Sequence, residues 1–201
     1  SRASVKLVNK VTVSASLFVL ALTVNARSLK IEEILKNHHL FSQWMTEHEK
    51  LIRHLIIGFE ANAALQDELF QDIALNIWRA LPSFRHDASV KTFVARIAHN
   101  VLATHVAKSV RTLKTEPNND DKEPEHKSTL HTPYQALDQS QRQQRLLRCI
   151  RQLKLNQQQV ITLALEGMSY QEIAETLAIS TNLVGVRLKR AKSSLTQLLE
   201  G

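Results

Sequence analysis

Residues Gly167 to Ala191 read GMSYQEIAETLAISTNLVGVRLKRA, which spells two short helices and the turn between them. Gly167 can end the preceding helix in a left-handed conformation that other residues resist. Ser169 and Glu172 have the spacing of a capping box, so a helix starts there. Ile173, Ala174 and Leu177 form its apolar face. The segment from Ile179 to Asn182 makes a short turn, with Ser180 or Thr181 as the next helix cap. In the second helix Val184, Leu188, Ala191 and Leu195 point inward, which leaves Arg187, Lys189 and Arg190 outward. The pattern predicts a helix-turn-helix whose second helix enters a major groove. Thr181, Asn182 and Gly185 then approach base edges, while the cations meet phosphates and guanines. A plain helical hairpin with a solvated basic face has the same pattern, so this stretch alone leaves both open.

The rest of the chain is helical in its periodicity. Upstream, Leu146, Leu147, Ile150 and Leu153, then Val160, Ile161 and Leu165, keep a spacing of three or four. Further back, Phe41, Trp44, His48, Leu51, Ile52, Leu55, Ile56 and Phe59 do the same. Leu69, Phe70, Ile73, Ile77 and Leu81 predict a second helix ended by Pro82. Val90, Phe93, Val94, Ile97, Val101 and Val106 predict a third. The 201 residues contain only 4 glycines, 4 prolines and 5% aromatics, too few for an all-β sandwich or barrel. A single cysteine, Cys149, excludes an internal disulfide framework and a multi-cysteine zinc site.

Charge divides the chain. The formal net charge is +7, which suits a polyanionic partner. Residues 1–40 carry +4, residues 41–111 carry +1, residues 112–136 carry −2 and residues 137–201 carry +4. Thr115 to Pro133, TEPNNDDKEPEHKSTLHTP, holds three of the four prolines and almost no apolar side chains. It cannot bury a core and is expected to be a flexible acidic linker. The predicted architecture is therefore all-α: two small helical domains, 41–111 and 137–201, joined by a linker at 112–136. The leader, 1–40, combines Lys6 and Lys10 with an apolar run from Val11 to Val24. It reads as a secretory-type signal or anchor, as an ordinary helix, or as a start that does not belong to the natural protein.

Two further stretches carry a family resemblance. Glu68 to Arg85 reads ELFQDIALNIWRALPSFR, and Asp87 to Asn100 reads DASVKTFVARIAHN. In this order, ahead of the helix-turn-helix, they resemble a bacterial RNA polymerase sigma factor of the compact extracytoplasmic-function group. The resemblance covers 41–111 and 137–200. It implies that Asp67, Glu68, Gln71, Asp72 and Asn76 contact core RNA polymerase. It also implies that the loop and helix from Phe84 to Asn100 capture the non-template strand of the −10 element of promoter DNA. That step needs a pocket for a flipped base and cations for single-strand phosphate. Phe84 would line the pocket, Arg85, Lys91, Arg96 and Lys108 would meet phosphate, and Ser89, Thr92 and Asn100 would bond base edges. Thr181, Asn182, Gly185, Arg187, Lys189 and Arg190 would hold the −35 element. Core packing competes with these roles at Phe84, Phe93 and Trp78. The resemblance implies an anti-sigma factor as a further partner and a cytoplasmic location. It implies no cofactor, metal or small-molecule substrate.

The chain departs from the family pattern in places. His99 stands where Arg is usual, Thr104 where Asp is common, and Val106-Ala107 dilutes a basic run. Gly185 replaces a larger polar residue, at a cost of about 1 kcal/mol against Ala in a helix. Two other classes remain in view. A helix-turn-helix regulator that is no polymerase subunit explains 137–201 but makes the 67–100 pattern a coincidence. An enzyme finds little support, because the nine histidines show no ligand spacing with carboxylates and no glycine-rich phosphate loop exists.

Overall fold

The structure is a computed structural model that describes residues 31–32, 34–115 and 134–200. The expectations for residues 1–30 and for the centre of the linker, 116–133, lie outside the described residues. Among those described, every regular element is a helix and none is a strand. The chain forms two compact units, one ending at Gln43 and one from Trp44 onward. In the first, residues 34–43 are helical.

The second unit opens with helix α1, residues 44–59. Trp44, Leu51, Ile52, Leu55, Ile56 and Phe59 are buried on one face, as their spacing requires. Asn62 then caps α2, Ala63–Ala80, its side chain accepting from the backbone of Ala64 and Leu65. Leu69, Ile73 and Ile77 are buried, and α2 ends one residue before a 3-10 turn, Leu81–Ser83, that contains Pro82. Helix α3, Val90–Thr115, packs on α2, and its Val94, Ala95, Ala98 and Leu102 are buried. It runs well beyond Val106, so residues 112–115 of the expected linker are helical. The same correction applies at the other end, where α4 spans Tyr134–Gln152.

Helices α5, Leu155–Leu165, α6, Tyr170–Leu177, and α7, Thr181–Glu200, complete the second domain. Ile150, Leu153, Val160, Ile161, Leu163, Ile173, Val184, Leu188 and Ala191 are its core. Each Leu or Ile fully removed from water there contributes roughly 1.5–3 kcal/mol.

The two helical domains are docked, with α3 against α5 and α6. Helix ends explain the junction. The last carbonyls of a helix have no partner within it and carry partial negative charge. At the end of α1, Arg151 donates to the Ile57 carbonyl at 2.9 Å and Gln158 to that of Gly58 at 2.8 Å. In return, Lys91 donates to the carbonyl of Glu166, which caps α5, at 3.0 Å. Arg96 donates to the carbonyl of Glu175, in the last turn of α6, at 2.9 Å. His54 and the Glu166 carboxylate meet at 2.9 Å. Glycine at 58 permits this close approach, since a Cβ there would lie 2.8 Å from the Thr162 methyl.

Candidate nucleic-acid interface

The helix-turn-helix forms as its residues dictate. Gly167 has φ +71°. Ser169 Oγ accepts from the Glu172 backbone while the Glu172 carboxylate accepts from Ser169 N at 2.8 Å. The bond from the Ser169 backbone, together with one donated by the Ser169 hydroxyl at 2.9 Å, holds the Glu172 carboxyl below the usual range. Ser180, not Thr181, caps α7, its Oγ accepting from Leu183 N. The turn itself depends on Ala178, at φ 52° and ψ 47°. A left-handed alanine has no sequence signature, and the reading from sequence missed it. Thr176 is buried on α6, whereas Leu177 and Leu195 are only half-buried.

Of the expected −35 residues, Thr181, Asn182, Lys189 and Arg190 are exposed and Arg187 is half-buried. None of the three cations makes an ion pair among the described residues. Gly185 is a correction. Its missing Cβ would face the Tyr170 ring at 3.6 Å, so position 185 looks toward α6 and not straight outward.

The expected −10 residues divide into three groups. Phe84 is half-buried in a ring cluster, 4.9 Å from Trp44, 4.8 Å from Phe93 and 4.5 Å from His86 between centroids. It therefore combines packing with partial exposure, and the loop beyond it includes His86 at φ 60°. Arg85 is exposed beside it. Ser89 caps α3, accepting from Thr92 N at 3.1 Å. Thr92 is a second correction: it is 1% exposed and its hydroxyl is bonded to Ser89 Oγ, so it cannot reach a base. Lys91 and Arg96 form the second group, both committed to the domain junction. Asn100 and Lys108 form the third. They line a cavity of about 370 Å³ between α2 and α3, together with Asp72 and Asn76. The structure thus places them with the expected polymerase contacts, away from Phe84.

Asp67, Glu68, Gln71, Asp72 and Asn76 are all exposed on α2, off its buried stripe, with Asp72 and Asn76 on the side toward the cavity. Asp67 also lies 3.7 Å from Arg53. Leu75, 45% exposed, sits at the middle of this face. Its position off the Leu69–Ile73–Ile77 stripe was the available signal, and the sequence reading passed over it. His99, where the family has Arg, is buried against Phe59, with neither ring nitrogen partnered. Desolvation pushes its pKa down to about 3, so it is neutral and supplies no cation.

Two family descriptions match this geometry: sigma-70 region 2 over residues 44–112 and sigma-70 region 4 over residues 143–195. RNA polymerase sigma factor YlaC of Bacillus subtilis is 30% identical over 129 residues, 64% of this chain and 73% of that one. The chain belongs to the sigma-70 family of sigma factors. RNA polymerase sigma-H factor of Pseudomonas aeruginosa is 26% identical over 166 residues, 80% of this chain and 86% of its own. In fold, this sigma factor is similar to the sigma factor RpoE of Bartonella quintana, solved with the anti-sigma factor NepR. That likeness has a TM-score of 0.59 and 19% identity, over 80% of this chain and 96% of that one. Its region 2 and region 4 matches, with these sigma-factor relatives, place the chain in the extracytoplasmic-function group, which directs RNA polymerase in transcription initiation. The region 2 match favours this reading over a helix-turn-helix regulator that is no polymerase subunit.

Proposed function

We propose a division of labour within this sigma factor. The exposed α2 face, with Asp67, Glu68, Gln71, Asp72, Asn76 and Leu75, binds core RNA polymerase. Asn100 and Lys108 border that face. Phe84, Arg85, Lys91 and Arg96 take the −10 strand, Phe84 offering a ring edge and the cations meeting phosphate. The N-terminal half of α7 holds the −35 element through Thr181, Asn182, Lys189 and Arg190, with Arg187 at the border. The observation that carries the reading is the capped helix-turn-helix with a cationic outer face, following a region 2 helix whose polar face is wholly exposed. Polymerase supplies the chemistry, and this chain supplies promoter choice and strand opening in the cytoplasm, where polymerase works. An anti-sigma factor is a further partner, by analogy with the solved relative.

Docking adds a condition. Lys91 and Arg96 are half-buried and held on the ends of α5 and α6 in the docked form, away from an incoming strand, so −10 capture requires the junction to open. In vitro transcription with core polymerase, with and without this chain, on a library of genomic fragments tests the whole reading. Initiation at a defined subset of promoters only when the chain is added is the expected result, and no difference between the two reactions refutes it.

A further inference from the structure

Helix α7 presents apolar side chains on the face proposed for DNA. Val186 is 45% exposed and Leu183 is 38% exposed. Val184, Leu188 and Ala191 are buried and define the inward direction. At about 100° per residue, Val186 then points almost directly outward. Asn182 lies one turn before it, and Lys189 and Arg190 one turn after. Leu183 flanks it on one side. On the other side Gly185 has no side chain, and the half-exposed Tyr170 ring lies over it. The apex of the face is therefore a β-branched hydrocarbon where hydrogen-bonding groups would be expected of a base reader.

Charge identifies what covers this apex. From Thr181 to Leu199 the helix carries four cations and no acidic residue, which suits a polyanion. Among the base edges of the major groove, the apolar feature is the C5 methyl of thymine. We infer that Val186 and Leu183 are specificity-determining residues that read thymine methyl groups in the −35 element. Asn182 and the cations fix the register, and the two apolar side chains reward thymine at the base pairs they face. The inference rests on the placement of α7 at the −35 element proposed above.

The experiment uses the full chain assembled with core polymerase. A preferred −35 duplex is first selected from a randomised pool, and each thymine in it is then replaced singly by deoxyuridine. Removing a contacted methyl should weaken binding about fourfold, the worth of one buried methylene. The sensitive positions should become insensitive when the protein carries Val186→Ser and Leu183→Ser. Both positions are exposed, so the double variant keeps the wild-type circular dichroism and thermal midpoint. If no duplex is enriched, the placement of α7 on DNA fails, and this inference with it. If a duplex is enriched but deoxyuridine is tolerated at every position, the inference alone is overturned. Unchanged sensitivity in the double variant also overturns it, since the effect would then come from the DNA itself.

Discussion

Replacing Gly58 with Ala should open the domain junction without weakening either domain. A Cβ at 58 would stand 2.8 Å from the Thr162 methyl, inside any normal contact. Thr162 cannot simply turn away, because its hydroxyl donates to the Gln158 carbonyl at 2.8 Å and sits in a buried site. Overpacking of this kind costs about 1–3 kcal/mol. The cost falls only on the docked form. In the separated form Ala is the better helix former by about 1 kcal/mol, so the first domain gains. The open-to-docked ratio should rise by about 5–150-fold. While the docked form predominates, affinity for a labelled single-stranded −10 oligonucleotide should rise by the same factor, because Lys91 and Arg96 are released. Fluorescence anisotropy reads this directly. The opposite perturbation is a cross-link. The 58 and 162 Cβ positions are 3.9 Å apart, within the range of about 3.5–4.5 Å that a disulfide spans. In a Cys149→Ala background, Gly58→Cys with Thr162→Cys should lose strand binding when oxidised and regain it on reduction. Equal affinity of the oxidised and reduced forms would refute the argument, because docking would then not compete with the strand.

Four other outcomes follow from the same structure. Glu68→Lys with Asp72→Lys, or Leu75→Asp alone, should weaken core polymerase binding by more than about 1 kcal/mol while leaving the thermal midpoint unchanged, as read by a pull-down and a melt. Arg190→Ala should flatten the dependence of −35 duplex affinity on salt by about one contact's worth, and Arg187→Ala should do less because Arg187 is half-buried. Ala178→Gly should stabilise the chain by roughly 0.5–1 kcal/mol in a urea titration, since glycine adopts the left-handed turn without a Cβ penalty. His99 should make stability fall in acid: above pH 6.5 neither state binds its proton, whereas below it the unfolded chain does and the folded chain, with a pKa of about 3, does not. That loss reaches about 2 kcal/mol at pH 5, and His99→Leu should abolish it when the urea midpoints at pH 7 and pH 5 are compared.

Periodicity and caps were readable from sequence because each depends on residues a few positions apart. Ser169 with Glu172, Gly167, and the Leu69–Ile73–Ile77 stripe all act within one turn of helix, and all are found where their spacing places them. What escaped depends on a partner from elsewhere in the chain. Lys91 and Arg96 have the spacing of free phosphate-binding cations, and nothing local marks them as caps for α5 and α6, some 75 residues away. Thr92 has the chemistry to bond a base, but its burial is set by packing around α3. Gly185 has the position of a base contact in the second helix, yet Tyr170 lies over it across the turn. Leu75 and Val186 escaped for the converse reason. Apolar residues outside a buried stripe contribute little to folding, so an account built on core formation has no place for them. On α2 and on α7 alike, the exposed hydrocarbon stands at the middle of a polar or cationic face. On the reading proposed above, polymerase completes its burial in one case and thymine in the other.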